Sequence, residues 1–308
     1  MSDIVLVHGI AQEQYSADLL ESRWLPAMAG AVRLAGHPDL ADKLWRDKQP
    51  GSVDSRMAFY GNAFLAEGAQ GGGESASLDS SELDFAEELA EIWLRAAADR
   101  APDHDDRIEA RRQLDILTDH SAQAQGIGTA LRPAVNALTR LSWFAPTGFN
   151  LAARFVVRAL GQVTKYFTDP AVREFAQQQV LDRIGPETRL VIAHSLGSVV
   201  AYEALHRVDH PVALLTAGSP LGLQSIIYPR LEPAPPTVPP TLITWDNLAD
   251  RDDIIATTLD LAPLFLPSST GVLPTRTVVD NGAEPHSALN YLTKEHTGKV
   301  IAAALTEM

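Results

Sequence analysis

RLVIAHSLGSVVAYEAL, residues 189–205, sets a serine between two kinds of pattern. Leu190-Val191-Ile192-Ala193 is a short apolar run of the sort that forms a fully buried strand, while Val199, Ala201, Ala204 and Leu205 follow helical spacing. Ser195 falls at the turn between them. In Ala193-His194-Ser195-Leu196-Gly197, small residues stand two positions either side of the serine, as a tight strand-to-helix elbow demands. Alanine replaces the glycine that usually opens that pattern. A serine here can also be a plain helix cap, but a strand before and a helix after it favour the elbow, which lifts the hydroxyl above the sheet.

Working outward, Ile4-Val5-Leu6-Val7 runs into His8-Gly9 and reads as a first central strand. Ser16 then caps a helix carrying Leu19, Leu20, Trp24, Leu25, Met28 and Val32, ended near Gly36. SRMAFYG, residues 55–61, reads as a second strand, and the Gly/Ser-rich EGAQGGGESASLDSS, residues 67–81, as a flexible loop. From Ser81 to about Phe167 helical patterns follow one another with no strand signal between them. Asp169-Pro170 supplies an N-cap and a first-turn proline for the helix that leads toward the elbow strand. Three more strands begin near residues 212, 241 and 275. Six strands alternating with helices predict an α/β protein with a mostly parallel sheet. Its core would comprise residues 1–65 and 168–308, with 66–167 as an all-helical insertion.

Composition narrows the chemistry. The 308 residues include no cysteine, so disulfides, thiolate nucleophiles and cysteine metal sites are excluded. A net charge of −14 opposes binding to phosphate backbones and anionic headgroups, so neither a nucleic-acid partner nor stable membrane association is expected. The opening MSDIVLVHGI lacks the layout of a signal peptide, and no apolar run reaches transmembrane length. A cytoplasmic protein is expected.

A serine hydroxyl needs a base, usually a histidine oriented by a carboxylate. On a sheet of this type the order is serine, acid, histidine, each at the carboxyl end of a strand. His286, in DNGAEPHSALNYL just after the last strand, fits the base better than His296, about a helix length further on. DNLADRDDIIA offers Asp246, Asp250, Asp252 and Asp253 as the acid. Asp246 still belongs to the strand. Asp252, in the turn before Ile254-Ile255, ranks first and Asp250 second. Backbone N–H donors for an oxyanion should come from Leu196 and from Ile10, after His8-Gly9.

With VLVHGI, AHSLGS, RDDII and PHSALNYL in this order, the chain resembles the α/β-hydrolase superfamily, particularly its lipase-like members. The resemblance covers roughly residues 1–65 and 168–308. It implies a serine hydrolase with Ser195, Asp252 and His286 as its triad and an oxyanion hole at Ile10 and Leu196. AGSPLG, from Ala217, looks like a lipase-type loop bordering the pocket. The helical insertion should then be a cap that shapes an acyl pocket, with Phe149 and Phe155 as candidate lining residues. An esterase or lipase acting on a small ester or lipid-like substrate is the leading expectation. A thioesterase or acyltransferase would use the same residues, and a non-catalytic partner-binding protein is the third possibility. No His-Glu-x-x-His occurs, the His104-Asp105-Asp106 run approaches a polar helix, and no metal or other cofactor is expected.

Overall fold

A computed structural model describes residues 2–47, 52–65, 79–121, 131–141 and 149–306. Its centre is a sheet of six parallel strands in the order β2-β1-β3-β4-β5-β6. These are β1 (Ile4–Val7), β2 (Ser55–Ala58), β3 (Leu190–His194), β4 (Val212–Ala217), β5 (Leu242–Asp250) and β6 (Thr275–Val279). The central strands read as unbroken apolar runs because helices cover both faces. Ile4, Leu6, Leu190, Ile192 and Leu215 pack with Trp24, Met28 and Val32 of α1 (Ala17–Leu34) and Ile301 of α10 (Glu295–Thr306). Val5, Val7, Val191, Ala193 and Leu214 face the opposite layer, with α8 (Leu196–Leu205).

The caps read from sequence hold. Ser16 accepts the Leu19 amide at 3.2 Å, and Asp169 accepts those of Ala171 and Val172 before α7 (Pro170–Leu181), whose first residue is the proline. The sequence reading overlooked α2 (Pro38–Trp45), a short helix opened by a proline. It also stopped β5 too early: the strand runs through Asp250. Residues 66–78 of the Gly/Ser-rich stretch lie outside the described residues; at its end, Asp79 caps α3 (Ser80–Arg100) in a reciprocal box with Glu82.

Three more helices follow in the insertion: α4 (His104–Ser121), α5 (Leu131–Leu138) and α6 (Phe149–Thr168). Leu89, Trp93, Val156, Leu160 and Val163 from this group share one core with Val7, Leu196 and Val199, so the insertion is packed onto the sheet layer around the elbow. One buried carboxylate ties the layers together. Glu203 of α8 accepts from Tyr166 of α6 at 2.5 Å, from Gln177 of α7 at 2.9 Å, from the Arg173 guanidinium and from the Glu232 amide. Among the described residues, no helix is long and apolar enough to cross a membrane.

Candidate active site

Strand order places the site. The chain passes from β1 to β2 on one side and later returns to β3 on the other, so the carboxyl ends of β1 and β3 diverge into a crevice. His8-Gly9-Ile10 leaves β1 there, and Ser195 leaves β3.

Ser195 has φ 54° and ψ −132°, a backbone conformation that non-glycine residues rarely adopt. Its amide donates to the Ala217 carbonyl at 3.0 Å, which holds the elbow against the end of β4. The demand for small neighbours is physical. A Cβ on Gly197 would lie 2.3 Å from the His8 carbonyl oxygen, and one on Gly9 would lie 2.7 Å from the Ser195 Cβ. Ala193 is fully buried and fits without the glycine expected there.

The hydroxyl of Ser195 donates to His286 Nε2 at 2.9 Å, and His286 Nδ1 donates to Asp253 Oδ2 at 2.8 Å. The acid beside His286 is therefore Asp253, a correction to both sequence choices. Asp252 is half-buried, and its amide donates to Asp250 Oδ1 at 2.8 Å. Asp250 closes β5, and its other oxygen accepts the Asn281 amide. Because Asn281 Nδ2 also donates to the Pro285 carbonyl at 2.8 Å, Asp250 anchors the turn that carries His286. The remaining candidates pair with each other, His296 with Asp246 at 3.0 Å.

Asp253 is fully buried, and its two oxygens are saturated with donors. Oδ1 accepts the Ile255 and Ala256 amides at 2.9 and 3.3 Å, while Oδ2 accepts from His286 and from the Tyr291 hydroxyl, each at 2.8 Å. Burial opposes the charge, yet the His286 ring, the Ile255 amide and the Tyr291 hydroxyl hold Asp253 below the usual carboxylate range. Burial and the adjacent Asp253 push the Tyr291 phenol up, so it stays a donor. Sequence reading missed Tyr291, although it lies five residues after His286 on α9 (Ala288–Leu292). Gly218, at φ +57°, lets the backbone pass: its Cβ would sit 3.0 Å from Asp253 Oδ2 and 3.1 Å from His286 Nδ1.

Two further histidines line the back of the site, both neutral. Burial lowers His194 to about 3, and its Nε2 donates to the His286 carbonyl at 2.9 Å. Burial lowers His8 to about 4; its Nδ1 donates to the Gly9 carbonyl and its Nε2 accepts the Tyr60 amide, with the rings of His8 and Tyr60 stacked 4.2 Å apart.

An apolar pocket opens on Ser195. Ile10, Leu196 and Pro220 of the AGSPLG loop reach it from the sheet layer, with Leu223, Ile227 and Ile255 beside them. Leu89 and Trp93 of α3 and Val163 of α6 close it from the insertion. The cavity is about 10 Å³, close to what one water fills. Ile10 and Leu196 both lie beside the serine, and the Leu196 amide belongs to the first turn of α8, whose N–H groups have no partner within the helix. Of the two expected lining aromatics, only Phe155 has a described side chain, and it is not among these lining residues. Phe155 is 39% exposed on α6, and the side chain of Phe149 lies outside the described residues.

Compared with protein-family models, curated proteins and solved structures, the chain matches none.

Among the described residues, no group of three or more His, Asp or Glu side chains is placed to hold a metal ion. The arrangement's own chemistry is proton transfer: a hydroxyl hydrogen-bonded to an imidazole, whose far nitrogen is fixed as a donor by a buried carboxylate.

Proposed function

We propose that this chain is a serine hydrolase of the α/β-hydrolase type that cleaves carboxylic esters through an acyl-enzyme. The observation that carries the reading is the unbroken hydrogen-bond chain Ser195–His286–Asp253, mounted on a strained elbow at the mouth of an apolar pocket. As Ser195 Oγ attacks the ester carbonyl, His286 Nε2 takes its proton and Asp253 stabilises the imidazolium. The carbonyl oxygen, now negative, is met by the Leu196 and Ile10 amides. Collapse of the tetrahedral species expels the alcohol, which receives the proton from His286. A water then attacks the acyl-serine by the same route and releases the acid.

The apolar lining suits an uncharged acyl group. A small-molecule ester follows as the substrate class, since none of the pocket residues carries a charge. The test is a panel of p-nitrophenyl esters, thioesters and anilides, assayed with the parent and Ser195→Ala, alongside labelling by a fluorophosphonate. Ester turnover and labelling that both vanish in Ser195→Ala are expected. Turnover unchanged in that variant would remove the reading, and a strong preference for thioesters would move the chain to that class.

A further inference from the structure

The loop after β1 is gripped from the insertion at the position where an oxyanion donor is required. Gln162, on α6 and 4% exposed, accepts the Ala11 amide through Oε1 at 2.7 Å across 151 residues of sequence. Its Nε2 donates to Oε2 of the buried Glu13 at 2.7 Å, and Arg158, one turn earlier on α6, pairs with Glu13 Oε1 at 2.9 Å. One helix therefore holds the loop at two residues.

The held peptide adjoins the one that carries the oxyanion donor. Ala11 N–H and the Ile10 carbonyl belong to the same planar unit. Gln162 takes the first, and Gln12 Nε2 donates to the second at 3.0 Å. With that plane fixed on both sides, the Ile10 amide, one Cα away, has little freedom to turn from the pocket. Ala11 itself has φ +59°, a strained conformation for a residue with a side chain, which persists only where the surroundings impose it. The next residue along α6, Val163, lines the pocket.

We infer that Gln162 is a positioning residue for the oxyanion hole, so that the helical insertion completes the site electrostatically as well as covering it. This rests on the serine-hydrolase reading above. A donor displaced by a fraction of an ångström binds the ground-state carbonyl nearly as before and the oxyanion poorly, so the loss appears in kcat.

The experiment compares the parent with Gln162→Met and Glu13→Gln. It measures kcat and KM on p-nitrophenyl acetate, inhibition by phenylboronic acid, which forms a tetrahedral adduct with the serine, and thermal unfolding. Gln162→Met should lower kcat by about 10- to 100-fold with KM within about threefold, and weaken boronate inhibition by a similar factor. Glu13→Gln, which keeps size and an acceptor for Gln162, should shift both quantities the same way by about threefold or more. Should Gln162→Met not fold, Glu13→Gln decides alone. Folded variants whose kcat and boronate inhibition stay within about twofold of the parent, whatever their melting temperatures, would overturn the inference. Ser195→Ala, run in parallel, separates the two levels. If it retains parent activity, the hydrolase reading fails and this inference with it; if it is inactive while the Gln162 and Glu13 variants are unaffected, only the inference fails.

Discussion

Tyr291 donates its hydroxyl to the same Asp253 oxygen that accepts from His286, and in turn accepts the Asp250 amide at 2.9 Å. One phenol thereby fixes the acid and the end of β5 together. Tyr291→Phe removes a donor from a buried carboxylate and orphans a buried amide, which should cost about 1–3 kcal/mol of stability. Asp253 then loses one of the contacts holding its pKa down. The expected kinetic result is a fall in kcat/KM of about 3- to 10-fold, checked by steady-state assay beside a denaturant titration.

The three neighbouring aspartates should separate cleanly. Asp253→Asn lets His286 adopt the wrong tautomer and should reduce kcat by about 10³- to 10⁴-fold with KM little changed. Asp252→Asn should stay within about threefold of the parent, since Asp252 is tied to the site through its backbone amide, which the substitution keeps. Asp250→Asn should chiefly lower stability, because its carboxylate anchors the Asn281 turn. Activities of these variants at saturating and low substrate, with melting temperatures, make the comparison. Parent-like kcat in Asp253→Asn would exclude it as the acid.

Gly197→Ala should fail outright. Its new methyl would meet the backbone oxygens of His8 and Val7, at 2.3 and 2.6 Å, and neither can swing aside like a flexible side chain. Relief would push β1 and α8 apart, at a cost of about 1–3 kcal/mol or more. Soluble yield and fluorophosphonate labelling should fall together. Ala193→Gly, the reverse change at the other flank, should leave labelling intact and destabilise through chain entropy and the loss of one buried methyl.

Selectivity should favour short acyl groups. Each added methylene is worth about 0.8 kcal/mol only where there is room to bury it, and the cavity over Ser195 is about 10 Å³. Efficiency on p-nitrophenyl esters should therefore peak early in the series from acetate upward. Leu223→Ala or Leu89→Ala should move the peak to longer chains, while Phe155→Ala, at an exposed position, should leave the profile unchanged. Profiles across acetate, butyrate, hexanoate and octanoate would show either outcome.

Stability should drop in mild acid because of His8 and His194. Their folded values, about 4 and about 3, lie below the ordinary 6.5, so the unfolded chain takes up protons that the native state refuses. The stabilisation is complete above pH 6.5 and declines as pH falls, by about 1.4 kcal/mol per unit for each histidine down to about pH 4. Asp253, held below 3.8, contributes only in stronger acid. Urea titrations at stepped pH should show this slope, and His8→Asn should reduce it by about half.

Ser195 and His286 were legible because each has a local signature: small residues framing a strand-to-helix turn, and a histidine between the last strand and a following helix. The acid had only its neighbourhood. Asp250, Asp252 and Asp253 share a turn in which successive side chains point different ways, and apolar periodicity does not extend into a turn. A finer signal was present in Asp253-Ile254-Ile255-Ala256, since an aspartate that accepts the amides two and three residues ahead makes an Asx turn and points its free oxygen inward. Phe155 misled for a similar reason. On α6 the buried stripe includes Val156, Ala159, Leu160, Val163 and Tyr166, and Phe155 lies about a fifth of a turn off its middle. Trp93 and Leu89 came from α3, whose placement over Ser195 depends on tertiary packing. Tyr291 and Gln162 act through contacts across tens of residues, which spacing does not encode.

Glu203 bears on how such a chain can be altered by engineering or descent. Its carboxylate sits on the helix that starts at the serine, yet the Tyr166 hydroxyl comes from the last helix of the insertion. Excising residues 66–167 to make a minimal domain would leave all six strands and Ser195, His286 and Asp253 in the sequence, but would strip a buried anion of one of its shortest contacts. The insertion is therefore not a detachable module: its exchange for another would call for a matching change at position 203, and the two should vary together among any descendants of this chain.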